Sequence, residues 1–289
     1  MNLTYTLSNG LELPRVGYGT YQVSDGRGAE VVAQALTAGY RLLDTASFYD
    51  NEEAVGEGIR RSGLPRSEVL LTSKAWRTEL GHSEVLSAFE ASCRRLGTDY
   101  LDLYLLHWPC VAAQRPDWRA VNAQSWQALE ELYRAGRVRA IGVSNYLPEH
   151  LDALLETAEI LPMVNQIEYH PGWTQPETVN WCRAHGVLVE AWSPMGRRRV
   201  LRHPLVERIA ARHQVSPARV CLRFALEQGV LPLPKSSDAA RMAENLALFS
   251  FSLSEEERDW LETMPPAGWS GEDPNRPGRK YTLEELGLS

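Results

Sequence analysis

The sequence predicts a (β/α)₈ barrel with an N-terminal β-hairpin closing one end. Short β-branched and leucine-rich runs alternate with amphipathic stretches at intervals of roughly thirty residues, the pattern of repeated βα units. Eight such runs occur, each nearly continuous in apolar residues, as a strand covered on both faces must be. No Pro/Gly/Ser-rich linker interrupts them and no GxGxxG follows any of them, which disfavours an open doubly wound sheet.

The opening LTYTLSNGLELP reads as the hairpin, turning at Asn9-Gly10. The barrel strands are then RVGYGT (15–20), YRLLDTA (40–46), VLLTSKAW (69–76) and LDLYLLHW (101–108), followed by VRAIGVSN (138–145), MVNQIEYH (163–170), VLVEAWSP (187–194) and VLPLPKSS (230–237). Helices fill the gaps, first AEVVAQALTAG, then NEEAVGEGIRRSG, then SEVLSAFEASCRRLG, with apolar residues recurring at three and four spacing. A glycine closes each of these three: Gly39, Gly63 and Gly97. Pro65, Pro148, Pro176 and Pro217 sit at gaps or in first helical turns, where proline is tolerated. Residues 1–289 are expected to form one barrel domain, with 269–289 a Gly-, Pro- and charge-rich C-terminal loop or tail.

Composition narrows the partners. A net charge of -7, from 37 acidic against 30 basic residues, argues against nucleic acid, which needs a basic face. Cys93, Cys110, Cys182 and Cys221 have neither CxxC nor metal-finger spacing, and such sparse usage fits a reduced compartment. The N-terminus lacks a basic-then-apolar signal, and no apolar run approaches the roughly 18 residues that span a bilayer. A cytoplasmic protein is expected, with no membrane partner and no metal, since no HxH or His-rich strand end occurs.

A barrel of this kind carries its active site at the C-terminal ends of its strands. Asp44, Lys74, His107, Asn145, Gln166, Ser193 and Lys235 all fall there. Asp44 with Tyr49 just after it, Lys74 and His107 suggest carbonyl reduction. A phenol of ordinary pKa about 10 can protonate a carbonyl oxygen at neutral pH if a nearby cation lowers that pKa. Lys74 would be the cation, Asp44 would hold the ammonium, and His107 would orient the substrate oxygen. Taken singly, each residue has a blander explanation: a helix N-cap for Asp44, a solvated amine for Lys74, a core histidine for His107 and ring packing for Tyr49. Jointly they point to chemistry.

Over essentially its whole length the chain resembles the aldo-keto reductases. The likeness rests on DTASFYDNEEAVG (44–56), SKAW (73–76), LLHWP (105–109), GVSNY (142–146), NQIEYHP (165–171), WSPMG (192–196) and PKSSDAARMAEN (234–245), in that order and spacing. The resemblance implies NADPH-dependent reduction of aldehydes and ketones to alcohols, with Tyr49 the proton donor, Lys74 and Asp44 the pair that lowers its pKa, and His107 the orienting group. It further implies that Ser144, Asn145 and Gln166 hold the nicotinamide carboxamide while Trp192 stacks on the ring. Gly19, Thr20, Ser193 and Pro194 are cofactor-binding strand ends on the same footing. Lys235, Ser236 and Arg241 match the family's pocket for the adenosine 2′-phosphate, with Glu244 and Asn245 on the adenine side, which favours NADPH over NADH. Core packing for Trp192 and solvated surface charge for Lys235 and Arg241 are the alternatives.

Trp192 stands where many members have tyrosine or phenylalanine, which likens the chain to the bacterial branch that includes the diketogluconate reductases. Arg197, Arg198 and Arg199 follow the seventh strand, where relatives carry a loop over the cofactor pyrophosphate; they read equally as a phosphate contact or a solvated turn. The substrate, a small carbonyl compound, would meet an apolar pocket of Tyr21, Phe48, Trp76 and Trp108, with Trp118 a further candidate, and acceptance should be broad. A monomer is the default, as for many relatives. The competing function is a nicotinamide-cofactor-binding protein with little turnover, against which the intact tetrad argues.

Overall fold

The computed structural model describes residues 4–23 and 26–287; the last two residues of the expected tail, 288–289, lie outside the described residues. Strands β1 (Thr4–Thr6) and β2 (Glu12–Pro14) pair antiparallel with Tyr5 opposite Leu13. The turn is longer than a two-residue one. Gly10 N–H donates to Leu7 O and Leu7 N–H to Leu11 O, both at 2.9 Å, so Ser8 and Asn9 form the corner and only Gly10, at φ 87°, is left-handed.

Eight strands follow in a parallel sheet: β3 (Tyr18–Gly19), β4 (Leu42–Asp44), β5 (Leu70–Ala75), β6 (Leu101–Leu106), β7 (Val138–Ser144), β8 (Val164–Glu168), β9 (Leu188–Trp192) and β10 (Leu231–Pro232). Every predicted run contains its strand, and β4, β6 and β8 are buried at every residue, including the polar Asp44, Asp102, Asn165, Gln166 and Glu168. The ring closes through Gly17 N–H to Pro232 O and Gly19 N–H to Pro234 O, each 3.1 Å. A side chain at either glycine would crowd this seam: a Cβ on Gly19 would sit 3.0 Å from Leu233 O. The hairpin lies across the N-terminal end, where Asn9 Nδ2 donates to Arg139 O at 2.8 Å and the Tyr5 hydroxyl reaches Leu226 O and Val230 O.

Helices α1 (Gly28–Ala38), α2 (Glu52–Ser62) and α3 (His82–Leu96) end at left-handed Gly39, Gly63 and Gly97, as predicted. Next come α4 (Trp118–Arg134), α5 (Pro148–Leu155) and α6 (Pro176–Ala184), the latter two with proline at the first helical position. One strand–one helix alternation fails between β9 and β10, where two helices, α7 (Pro204–His213) and α8 (Pro217–Glu227), intervene. After β10 come α9 (Ala239–Leu246) and α10 (Glu255–Glu262). Strand register sets the mouth: Asp44 stands beside Thr72, Lys74 beside Leu105, and Gln166 between Ser144 and Glu190.

Candidate active site

The C-terminal strand ends bring together the four polar residues singled out in the sequence. Lys74 is wholly buried, and both Asp44 carboxylate oxygens lie 2.8 Å from its Nζ. Nζ also donates to Thr45 O at 2.8 Å and to the Tyr49 hydroxyl at 3.4 Å. A short 3₁₀ turn, Ser47–Tyr49, carries the phenol inward from the end of β4. His107 meets Tyr49 edge to face at 5.6 Å between ring centroids, and its Nδ1 is buried with no hydrogen-bond partner.

Burial works against the Lys74 charge, but Asp44 and Tyr49 outweigh it and hold the ammonium above its usual range. For Tyr49 the balance differs from the sequence expectation. Burial pushes the phenol up to about 12, Lys74 pulls it down and Asp44 pushes it up again. The cation therefore offsets only part of the cost of burying a phenolate, because its own charge is shared with Asp44. Tyr49 is a loaded acid at neutral pH rather than one with a net lowered pKa. Burial first, then the charges of Lys74 and Arg77, hold the His107 imidazole well below its ordinary 6.5, so it is neutral.

A second layer surrounds this group. Gln166 Nε2 donates to Asp44 Oδ1 at 2.8 Å and to Glu190 Oε2 at 2.9 Å. Asn145, left-handed at φ 62°, gives Nδ2 to His107 O at 2.9 Å and to Ser144 Oγ at 3.1 Å, and accepts the Trp192 indole N–H at 2.8 Å. Ser144 Oγ donates to Gln166 O at 2.8 Å. The Thr20 hydroxyl donates to Asp44 O at 2.9 Å, tying β3 to β4 beside Gly19. Ser193 is left-handed at φ 49° and precedes buried Pro194. Such non-glycine outliers at strand ends are a mark of functional sites.

Three aromatic side chains, Tyr21, Phe48 and Trp76, rim the mouth. Phe48 stacks on Trp76 at 3.8 Å, Trp76 meets His107 edge to face at 4.9 Å, and Tyr21 tilts against Tyr49 at 5.0 Å. Tyr21 and Phe48 are 45% and 49% exposed, an unusual cost for large apolar groups unless something covers them. Trp108 is buried behind them, while Trp118 instead packs against His150 of α5. The rim is not wholly apolar, because Arg77 lies between the Trp76 and Trp108 rings.

Past β10, Lys235 is exposed, Ser236 is buried and bonded to Asp238, and Arg241 is exposed in the first turn of α9, whose start Asp238 caps. Glu244 is half-buried, and Asn245 is buried with its side chain against the Tyr40 hydroxyl. The arginine turn divides. Arg199 donates to Trp269 O at 2.6 Å, and Arg197 reaches Glu272 at 4.0 Å. The tail is latched by Ser270, whose N–H and hydroxyl donate to Glu168 at 2.9 and 2.7 Å.

Two residues here escape sequence reasoning. Glu190 is buried, unpaired at Oε1, and raised to about 7 by burial and then by the Asp44 charge. Its signal was a lone carboxylate inside an apolar strand. Arg77 left no signal beyond following Trp76. Among the described residues no group of three or more His, Cys, Asp or Glu could hold a metal ion, and no helix is long and apolar enough to cross a membrane.

A closed barrel with a buried Lys–Asp pair beside a tyrosine and a neutral histidine is an arrangement able to orient and protonate a carbonyl oxygen. The chain belongs to the aldo/keto reductase family, whose model matches residues 15–264. It is 45% identical over 262 residues to the glyoxal reductase of Bacillus subtilis (strain 168), covering 90% of this chain and 92% of that one. A mutant of Gox0644 crystallised with NADPH superposes with a TM-score of 0.88 at 37% identity, covering 96% of this chain and 98% of that one. The Bombyx mori aldo-keto reductase in complex with NADP gives 0.81 at 31%, covering 90% and 91%.

Proposed function

We propose that this enzyme reduces aldehydes and ketones to alcohols with NADPH, through Tyr49, Lys74, Asp44 and His107. The observation that carries the reading is the buried Lys74 ammonium, held by both oxygens of Asp44 and turned toward the Tyr49 hydroxyl beside a neutral His107. The donor set fits the cofactor. Gln166 has committed Nε2 to two carboxylates and keeps Oε1 to accept from a carboxamide, Trp192 offers an anchored aromatic face, and Lys235 and Arg241 stand ready for a phosphate. Bound NADPH supplies the hydride.

The chain's own residues do the rest. His107, being neutral, has one ring N–H to give, and it orients the carbonyl oxygen toward Tyr49. Tyr49 passes its proton to that oxygen as negative charge develops there. Lys74 stabilises the phenolate left behind through its N–H toward Tyr49, while Asp44 and Thr45 O accept from the same ammonium and keep it in place. The aromatic rim excludes water from the reacting oxygen. Free, buried Cys93, Cys110, Cys182 and Cys221 support a reducing, cytoplasmic setting, and we take the enzyme to act as a monomer.

NADPH oxidation against aromatic and aliphatic aldehydes, a sugar aldehyde, a diketone and a 2-oxo acid, with NADH as control, tests the reading. Turnover with NADPH supports it; tight NADPH binding without turnover of any substrate would make this a cofactor-binding protein.

A further inference from the structure

Arg77 is a cation in an unusual position. Its guanidinium carbon lies 4.6 Å from the Trp76 ring centroid and 4.8 Å from that of Trp108, so two indoles of the mouth flank it. The side chain is half-buried and its Nε is buried without a hydrogen-bond partner. Burial makes its charge harder to hold.

Neighbouring acids are engaged elsewhere. Glu79 accepts from Trp76 N–H and from the Ser47 hydroxyl, both at 2.7 Å. Glu272 of the tail acts on Arg77 through space but lies 4.0 Å from Arg197 and 3.9 Å from Lys280. A desolvated guanidinium with open donors is suited to an incoming carboxylate, which its planar fork matches.

We propose that Arg77 is a specificity-determining residue that binds a carboxylate on the substrate, so that the enzyme favours oxo acids over neutral aldehydes. This rests on the carbonyl reductase reading of the same mouth. Trp76 fixes the spacing: one face of its indole region meets Arg77, and its ring meets His107 at 4.9 Å. One indole thus separates the anion site from the reacting carbonyl. Favoured substrates carry carbonyl and carboxylate several bonds apart, as in 4-carboxybenzaldehyde, and 2-oxo acids, with the two groups adjacent, fit poorly.

The test compares kcat/KM for 4-carboxybenzaldehyde and benzaldehyde with NADPH in the parent, Arg77→Met and Arg77→Lys. The parent should favour the charged aldehyde, and Arg77→Met should cut that preference roughly tenfold to a hundredfold, the range a charge-assisted hydrogen bond supplies. The loss should fall mainly on KM, and Arg77→Lys should keep part of the preference. A preference unchanged in Arg77→Met overturns the proposal. Quenching of tryptophan fluorescence in the NADP-loaded protein by benzoate, against benzyl alcohol, gives a readout free of turnover. Benzoate binding that depends on Arg77 without reduction of either aldehyde would sink the reductase reading alone. Benzoate binding indifferent to Arg77 while both aldehydes are reduced would sink this proposal alone.

Discussion

The Trp192 indole donates its N–H to Asn145 Oδ1 at 2.8 Å, which fixes two side chains at once. It locks the tilt of the aromatic face, and it settles the Asn145 amide, sending Nδ2 to the His107 carbonyl. Phenylalanine at the same position has no donor at all. Trp192→Phe should therefore weaken NADPH binding by about fivefold, the worth of one hydrogen bond of roughly 1 kcal/mol, in a fluorescence titration. Unaltered affinity would mean that the bond does not orient the ring.

Tyr49→Phe keeps the ring against Tyr21 and His107 but removes the transferable proton. Reduction should fall by about 10²- to 10⁴-fold with NADPH affinity near that of the parent. Steady-state rates within about tenfold of the parent would rule out Tyr49 as the acid.

Glu190 makes stability depend on pH. Its carboxyl rises from an ordinary 4.5 to about 7 in the folded protein, so between those values the native state holds a proton that the unfolded chain has lost. The stability this confers is complete below pH 4.5 and declines as pH rises through 7. Glu190→Gln cannot titrate, and its amide oxygen can still accept from Gln166. Relative to the parent, its Tm should climb between pH 4.5 and 7 and then level off. Parallel Tm curves across that window would show that Glu190 stays ionised.

Arg241→Ala should raise the KM for NADPH by about tenfold or more and leave NADH little affected, because only the phosphorylated cofactor presents a dianion to the guanidinium. Equal losses for the two cofactors would move the phosphate contact to Lys235 or the arginine turn.

Much of this was legible in the chain because each barrel strand is a short, largely apolar run with candidate polar residues at or just past its C-terminal end. Asp44, Lys74 and Asn145 are placed that way, although Thr72, Ser73, Arg139 and Ser144 precede the latter two within β5 and β7. The net pKa of Tyr49 was not legible, since it depends on how far burial outweighs Lys74, a matter of depth rather than residue type. Glu190 joins the site only through its register beside Gln166. The latch between Glu168 and Ser270 links positions far apart in sequence, and nothing local to either announces it.

With the N-terminal hairpin packed on Val230 and Arg139, the barrel has a floor. Whatever reaches Tyr49 and His107 must arrive and depart through the same doorway. One end of the barrel is thereby spent on support, and only the other is left for exchange.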